Sequence, residues 1–129
     1  MSGALLDTSV LIASGSSDAL GLPETAAISV ITLGELRAGV ELARDDDMRG
    51  ARSRRLDAVR AAFVPLDIDP RIAEASGEVL AAARREGRTV KATDLLIIAT
   101  ARATDRVLVT LDDRQAMLAR AVGQAVHVP

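Results

Sequence analysis

The chain contains no cysteine, tryptophan or tyrosine, and Phe63 is its single phenylalanine. Without cysteine there are no disulfide bonds, no thiolate metal sites and no cysteine nucleophile. With one aromatic ring, the core must be filled by aliphatic side chains and alanine. The chain also lacks the aromatic surfaces on which many proteins stack unpaired bases.

Long apolar runs and a strong excess of one charge are absent as well. No run approaches the roughly 20 apolar residues of a membrane-crossing helix, and residues 1–6 do not resemble a signal peptide. A net charge of −2 is no global sign of nucleic-acid binding. We therefore expect a cytoplasmic protein with no membrane partner, in which any nucleic-acid contact depends on local basic patches.

The chain does have a large hydrophobic fraction, 49% of 129 residues. That is enough for one domain with a buried core. There is no internal repeat, and the Gly/Ser stretch from Ser14 to Ser17 is too short for a linker. We therefore expect a single domain over residues 1–129.

Short strand-like runs alternate with longer helix-like ones. Strands are predicted at residues 4–6, 26–31, 63–66, 107–109 and 125–128, and helices at 32–43, 48–62, 70–87, 93–102 and around 117–118. This alternation implies right-handed crossovers and a mostly parallel sheet covered on both faces. The predicted fold class is α/β, a three-layer sandwich with a central, mostly parallel sheet of about five strands flanked by helices.

Four acidic residues stand at or near the ends of the predicted strands. Asp7 directly follows the first strand, Glu35 lies in the first turn after the second, and Asp112 follows the strand at 107–109. Asp94 begins the apolar helix at 93–102. Ligands of open α/β sheets bind outside the carboxyl ends of the strands, so these four are the candidate catalytic and metal-binding residues.

Each acid also has a purely structural interpretation, which is favoured when the acids are taken singly. Glu35 could complete a capping box with Thr32, and Asp94 could complement the dipole of its helix. Asp7, and either Asp112 or Asp113, could cap the helices that follow them. Helix capping and helix dipoles explain the presence of all four acids together less well.

A cluster of the four carboxylates would require a cation, because like charges at close range cannot all stay ionised. Hard oxygen ligands favour Mg²⁺ or Mn²⁺, and the lack of cysteine and of any histidine except His127 argues against zinc. Such ions can activate water and clamp phosphoryl oxygens. The pattern therefore predicts metal-dependent cleavage of a phosphodiester bond.

The segments around these acids resemble the four motifs of PIN-domain nucleases. They are residues 5–12, 28–40, 93–101 and 109–112, and the resemblance extends over essentially the whole chain. It implies a PIN-like fold in which Asp7, Glu35, Asp94 and Asp112 bind the metal. Thr8 and Thr110 become candidate hydrogen-bonding helpers.

The compact size is similar to that of the toxin component of VapBC toxin–antitoxin pairs. That resemblance implies a Mg²⁺- or Mn²⁺-dependent endoribonuclease acting on RNA, usually a homodimer. It also implies a small antitoxin protein that inhibits the enzyme by inserting into the active-site groove. The alternative is a non-catalytic PIN-like module that binds a protein or RNA partner.

The sequence departs from the family pattern in the fourth motif. Asp113-Arg114-Gln115-Ala116 stands where many relatives have an aspartate–phenylalanine pair after the fourth acid. Whether Asp112 or Asp113 faces the metal is therefore open, although the spacing to Thr110 favours Asp112. The aromatic residues common in the second motif are missing too.

Two basic features have open interpretations. Residues 48–62 carry five arginines, which could grip RNA phosphates or an acidic partner. The favoured interpretation is a solvated helix face with Leu56, Val59 and Phe63 turned inward. Lys91, just before Asp94, could equally contact substrate phosphate or offset the local acids.

Overall fold

A parallel sheet runs through the centre of the protein in the computed structural model, which describes residues 3–13 and 25–129. Its spatial order is β2-β1-β3-β4, and every pairing is parallel. The strands are β1 (Ala4–Leu6), β2 (Ala26–Ala27), β3 (Val107–Val109) and β4 (Val126–His127). The predicted α/β class with a parallel sheet is confirmed. The Gly/Ser stretch at Ser14 to Ser17 lies outside the described residues.

The predicted strand at residues 63–66 is wrong, so the sheet of the described residues has four strands, where about five were expected. Leu66 forms only an isolated parallel bridge with Ser29. Its amide donates to the Ile28 carbonyl at 2.8 Å, and its own carbonyl accepts from Val30 at 3.0 Å. Pairing stops there because Pro65 has no amide hydrogen to donate and because the opposite segment turns into a helix at Val30.

Helices cover the sheet on both faces. In the described part of the chain they are α1 (Thr8–Ala13), α2 (Val30–Glu41), α3 (Asp46–Ala62), α4 (Pro70–Arg85), α5 (Ala92–Ala103) and α6 (Asp113–Ala121). Helix α4 has the predicted signals at both ends. Asp69 accepts from the Ile72 amide at 2.9 Å, with Pro70 in the first turn. Gly87 follows the helix with a φ of 69°, the left-handed conformation that favours glycine.

Helix α2 begins two residues earlier than predicted, which changes the interpretation of its first turn. Ser29 is the N-cap, with its side chain accepting from the Ile31 amide at 3.1 Å. Thr32 is buried within the helix, so the capping box with Glu35 is wrong. The predicted strand at 26–31 shortens to β2, because the cap outweighs the strand propensity of Val30 and Ile31.

Two apolar clusters lie on opposite faces of the sheet. One packs Leu5 and Leu108 against α4, α5 and α6, and the other packs Ala4 and Leu6 against α2 and α3. Successive residues of β1 enter different clusters because side chains alternate across a strand. Together the clusters complete the predicted three-layer arrangement.

The Arg-rich helix α3 packs as the favoured interpretation predicted. Leu56 and Val59 are buried, and Phe63 packs against the same cluster. Arg49, Arg54 and Arg60 are exposed, so their charges face solvent. No helix in residues 3–13 and 25–129 is long and apolar enough to cross a bilayer.

Candidate functional site

Asp7 lies where β1 ends and is 6% exposed. Its amide extends the sheet by donating to the Val109 carbonyl at 2.9 Å. Its Oδ2 accepts from the Ser9 hydroxyl at 2.6 Å, the Ser9 amide at 3.2 Å and the Thr110 hydroxyl at 3.2 Å. Its Oδ1 accepts from Gln115 Nε2 at 3.2 Å. The Ser9 amide bond is a local cap of α1, but Thr110 and Gln115 come from the other end of the chain, and together they fix the carboxylate.

The hydroxyls of Ser9 and Thr110 join the ends of β1 and β3. They lie 3.3 Å apart. Ser9 Oγ accepts from the Leu111 amide and Thr110 Oγ1 from the Asp112 amide, each at 3.0 Å. The loop that carries Asp112 is therefore held against the loop that carries Asp7. Sequence reasoning named Thr110 as a helper but missed Ser9, whose position two residues after an aspartate was the available signal.

Glu35 lies in the second turn of α2, where the sequence had placed it in the first. Thr8 Oγ1 donates to its Oε1 at 2.7 Å and lies 3.2 Å from Thr32 Oγ1. Partial burial raises the pKa of Glu35 above its ordinary value, and the charges of Asp7 and Asp94 raise it further. The Thr8 hydrogen bond and, more weakly, the positive charge of Lys91 oppose this rise.

Asp94 lies in the first turn of α5 and accepts from Gln115 Nε2 at 3.3 Å. Partial burial is the largest cause of its raised pKa, followed by the charges of Asp112 and Asp7. Lys91 and the Gln115 hydrogen bond lower it in part. A carboxylate in the first turn of a helix is stabilised by the helix dipole, as the structural interpretation of Asp94 required. The charges of the neighbouring acids nevertheless raise the pKa of the same carboxylate.

Asp112 caps α6, so its structural interpretation holds. Its Oδ1 accepts from the amides of Arg114 at 3.0 Å and Gln115 at 3.3 Å. Although exposed, Asp112 is close enough to Asp94 to raise the pKa of that carboxyl, whereas Asp113 is not among the causes of the shift. Of the two aspartates, Asp112 is the one whose charge acts on Asp94.

Gln115 is the main residue of this region that sequence reasoning missed. It is 1% exposed, and its Nε2 is shared between Asp7 and Asp94. Its Oε1 is buried without a hydrogen-bond partner among the described residues. The available signal was a polar residue on the buried face of α6, in the helical stripe that continues with Leu118 and Val122.

The electrostatic effects place Asp7, Glu35, Asp94 and Asp112 in one neighbourhood, at the edge where the parallel strands end. The donors are all oxygen and the acids repel one another, which suits a hard divalent cation and not zinc. However, no three acidic or histidine side chains among the described residues are grouped closely enough to hold a metal ion as they stand. Mg²⁺ commonly binds through one or two carboxylates with several waters, so the residues fit such an ion without a closed cage.

An open groove of about 530 Å³ lies beside the acids. It is lined by the loop before α5, by the start of α5 and by α6, and Asp94 and Asp112 contribute to its wall. The groove is therefore continuous with the acidic cluster.

Glu35→Gln is expected to raise the melting temperature at neutral pH in the presence of chelator. The folded-state pKa of Glu35 lies above the ordinary value of 4.5, so the native state loses stability as pH rises from that value through the folded pKa. Glutamine avoids this cost and keeps an acceptor for Thr8. Thermal unfolding at neutral pH and below pH 4.5 measures the difference, with Glu74→Gln, on the exposed side of α4, as the control. An equal gain at both pH values would contradict the electrostatic explanation.

The protein is similar in sequence to a known family and to named relatives. The profile of the PIN domain family matches residues 4–121. The chain is 41% identical over 100 residues to Ribonuclease VapC8 of Mycobacterium tuberculosis (strain ATCC 25618 / H37Rv), covering 75% of this chain and 88% of the relative. It is 36% identical over 117 residues to Ribonuclease VapC5 of the same strain, covering 88% of this chain and 86% of the relative.

Solved structures of related proteins have the same fold. The VapBC-5 member of the VapBC family of toxin–antitoxin systems, from M. tuberculosis, has a TM-score of 0.83 and 34% identity, covering 99% of this chain and 98% of that one. FitAcB from Neisseria gonorrhoeae has a TM-score of 0.76 and 26% identity, with 95% of each chain covered. The resemblance inferred from the four motifs is confirmed, and this chain belongs to the PIN-domain family.

Proposed function

We propose that this protein is a metal-dependent endoribonuclease and the toxin of a toxin–antitoxin pair. One observation carries the proposal. Gln115 Nε2 hydrogen-bonds to both Asp7 and Asp94 at the carboxyl edge of the sheet, where the charges of Asp7 and Asp94 act on Glu35 and those of Asp7 and Asp112 act on Asp94. Two relatives named as ribonucleases support the reaction class.

In this proposal Asp7, Glu35, Asp94 and Asp112 hold Mg²⁺ or Mn²⁺. The bound ion would supply Lewis-acid activation of water and neutralise charge on the phosphodiester. The protein's own contribution is orientation, since a carboxylate held by fixed donors need not reorganise during the reaction.

The hydrogen-bond donors that orient the carboxylates are side chains of this protein. Thr8 holds Glu35, Ser9 and Thr110 hold one oxygen of Asp7, and Gln115 holds the other. The groove beside the acids, of about 530 Å³, gives a substrate access to Asp94 and Asp112.

The test is cleavage of RNA by the purified protein. We expect internal cuts in the presence of Mg²⁺ or Mn²⁺, no cutting in EDTA, and recovery when excess Mn²⁺ is added back. Undiminished cleavage in EDTA would contradict the metal mechanism. Absence of cleavage with either metal would favour the non-catalytic PIN-like module that binds a partner.

A small antitoxin protein is the proposed partner. Structures of relatives described as VapBC and as a toxin–antitoxin complex support this proposal. We expect the product of an adjacent reading frame to co-purify with this protein, to suppress its cleavage of RNA and to relieve its toxicity on co-expression. No complex and no relief would contradict the toxin assignment but not the nuclease one. The homodimer stays a prediction, which light scattering of the purified protein tests.

A further inference from the structure

Three cationic side chains line the groove beside the acids. They are Arg88 from the loop after α4, Lys91 from the position before α5, and Arg114 from the first turn of α6. All three residues are exposed. Arg88 and Lys91 belong to the same loop, and the tertiary structure brings Arg114 beside them.

Among the described residues these cations make no ion pair, although the charge of Lys91 acts on Glu35 and Asp94. The ion pairs of the described residues are Arg37–Glu41 and Arg60–Asp57, so none of the three is in one. Asp94 and Asp112 line the same groove, yet no cationic side chain of residues 3–13 and 25–129 lies within ion-pair distance of them. Charges in this arrangement remain available to a ligand from outside.

Helix electrostatics does not explain two of the three positions. Lys91 is the N-cap residue of α5 and makes no side-chain cap hydrogen bond. Arg114 is the second residue of α6. The N-terminus of a helix is its positive end, so cations there are unfavourable. Arg88 differs, because it follows the C-terminus of α4, where its amide donates to the Ala83 carbonyl at 2.9 Å.

We infer that this groove binds the sugar–phosphate chain of the RNA on one side of the cleavage site, with Arg88, Lys91 and Arg114 contacting phosphates. The inference rests on the proposed function. A polyanion cut at the acids must continue along the surface next to them, and the groove shares Asp94 and Asp112 with that cluster. The cations then offset the repulsion between the acids and the phosphates.

The apolar part of the groove suits a base attached to that chain. Val90 and Met117 line it, and Met117 is 57% exposed. A flexible thioether can pack against bases of different shape. The groove therefore has positive charge for the backbone and an apolar surface for an unpaired base.

The test compares Arg88→Ala and Arg114→Ala with Arg120→Ala. Arg120 lies at the other end of α6, is exposed and does not line the groove, so it controls for loss of one positive charge. Lys91 is left unchanged because its charge also acts on Glu35 and Asp94. Melting temperatures of all three variants should match that of the unmodified protein, since these side chains are outside the core.

Binding of a fluorescein-labelled, single-stranded oligoribonucleotide is measured by anisotropy across a series of KCl concentrations, in an Asp7→Asn background with Mg²⁺. Each groove variant should reduce the magnitude of the negative slope of log affinity against log salt by about 0.7, equivalent to about 5-fold weaker binding near about 0.1 M salt. With Asp7 intact, KM should rise with little change in kcat. Arg120→Ala should change none of these.

Groove variants that bind and cut RNA like Arg120→Ala would overturn the inference while leaving the nuclease assignment in place. Variants that keep RNA binding but lose binding to the inhibitory partner would also overturn it, since the groove would then be a protein-docking surface. If the unmodified protein neither binds nor cuts RNA, the proposed function itself fails, which is a different result.

Discussion

Replacing Asp7 with asparagine is expected to lower RNA cleavage by at least about 100-fold while the protein stays folded. Asparagine has the same size and keeps one acceptor oxygen, so the donors around position 7 retain part of their hydrogen bonding. The lost property is the negative charge at the most deeply buried of the four acids. Initial cleavage rates in Mg²⁺, with circular dichroism and thermal unfolding, separate loss of activity from loss of fold.

The matched control for this variant is Asp113→Asn. Asp113 is exposed and is not among the charges that act on the other acids, so full activity is expected. Asp112→Asn should behave like Asp7→Asn. Full activity in Asp7→Asn would remove Asp7 from the site, and an inactive Asp113→Asn beside an active Asp112→Asn would exchange the roles of these two residues.

Replacing Gln115 with leucine is expected to lower cleavage by about 10–100-fold, the usual cost of losing a residue that orients metal ligands. Leucine fills a similar volume in the buried position, but it cannot donate to Asp7 and Asp94. Both carboxylates then lose the group that sets their relative orientation. The loss should fall mainly on kcat, because Gln115 is buried and does not line the groove that we propose for RNA.

Gln115→Glu distinguishes orientation of the acids from simple packing. It keeps the length of the side chain and adds a negative charge between Asp7 and Asp94, so the variant should melt at a lower temperature than the unmodified protein in EDTA. Mn²⁺ should raise the melting temperature of Gln115→Glu more than that of the unmodified protein, because a cation relieves the added repulsion. Equal effects of Mn²⁺ on both proteins, together with full activity of Gln115→Leu, would reduce Gln115 to a packing residue.

Several elements of the fold were predictable because their signals are local. Asp69-Pro70 and Gly87 marked the two ends of α4, and β3 was predicted with its observed bounds. The strand at 63–66 was not predictable. Its apolar residues satisfied the strand pattern, but pairing depended on a partner segment that becomes helical at Val30.

The first residue of α2 was also not predictable from local sequence alone. Ser29 and Thr32 are both good N-caps by residue type, and the β-branched residues between them favoured a strand. The structure uses Ser29 as the cap and buries Thr32 against Thr8. Residue preference alone could not choose, because the contact with Thr8 comes from a different segment.

For the site, the amino-acid sequence by itself determined which chemistry is available. Four acids stand near strand ends, with no cysteine and one histidine, and these facts favour oxygen ligands and a hard cation. The motifs were also sufficient to identify the family. Such information resides in residue types and their order along the chain.

Only the tertiary structure decided how those residues are arranged. It showed that Gln115 links Asp7 to Asp94, that Asp112 and not Asp113 acts on Asp94, and that Arg88, Lys91 and Arg114 share one groove. The physical reason is that hydrogen bonds and Coulomb interactions depend on distance in space. Here the interacting groups are up to 108 residues apart along the chain, a separation over which no local pattern carries information.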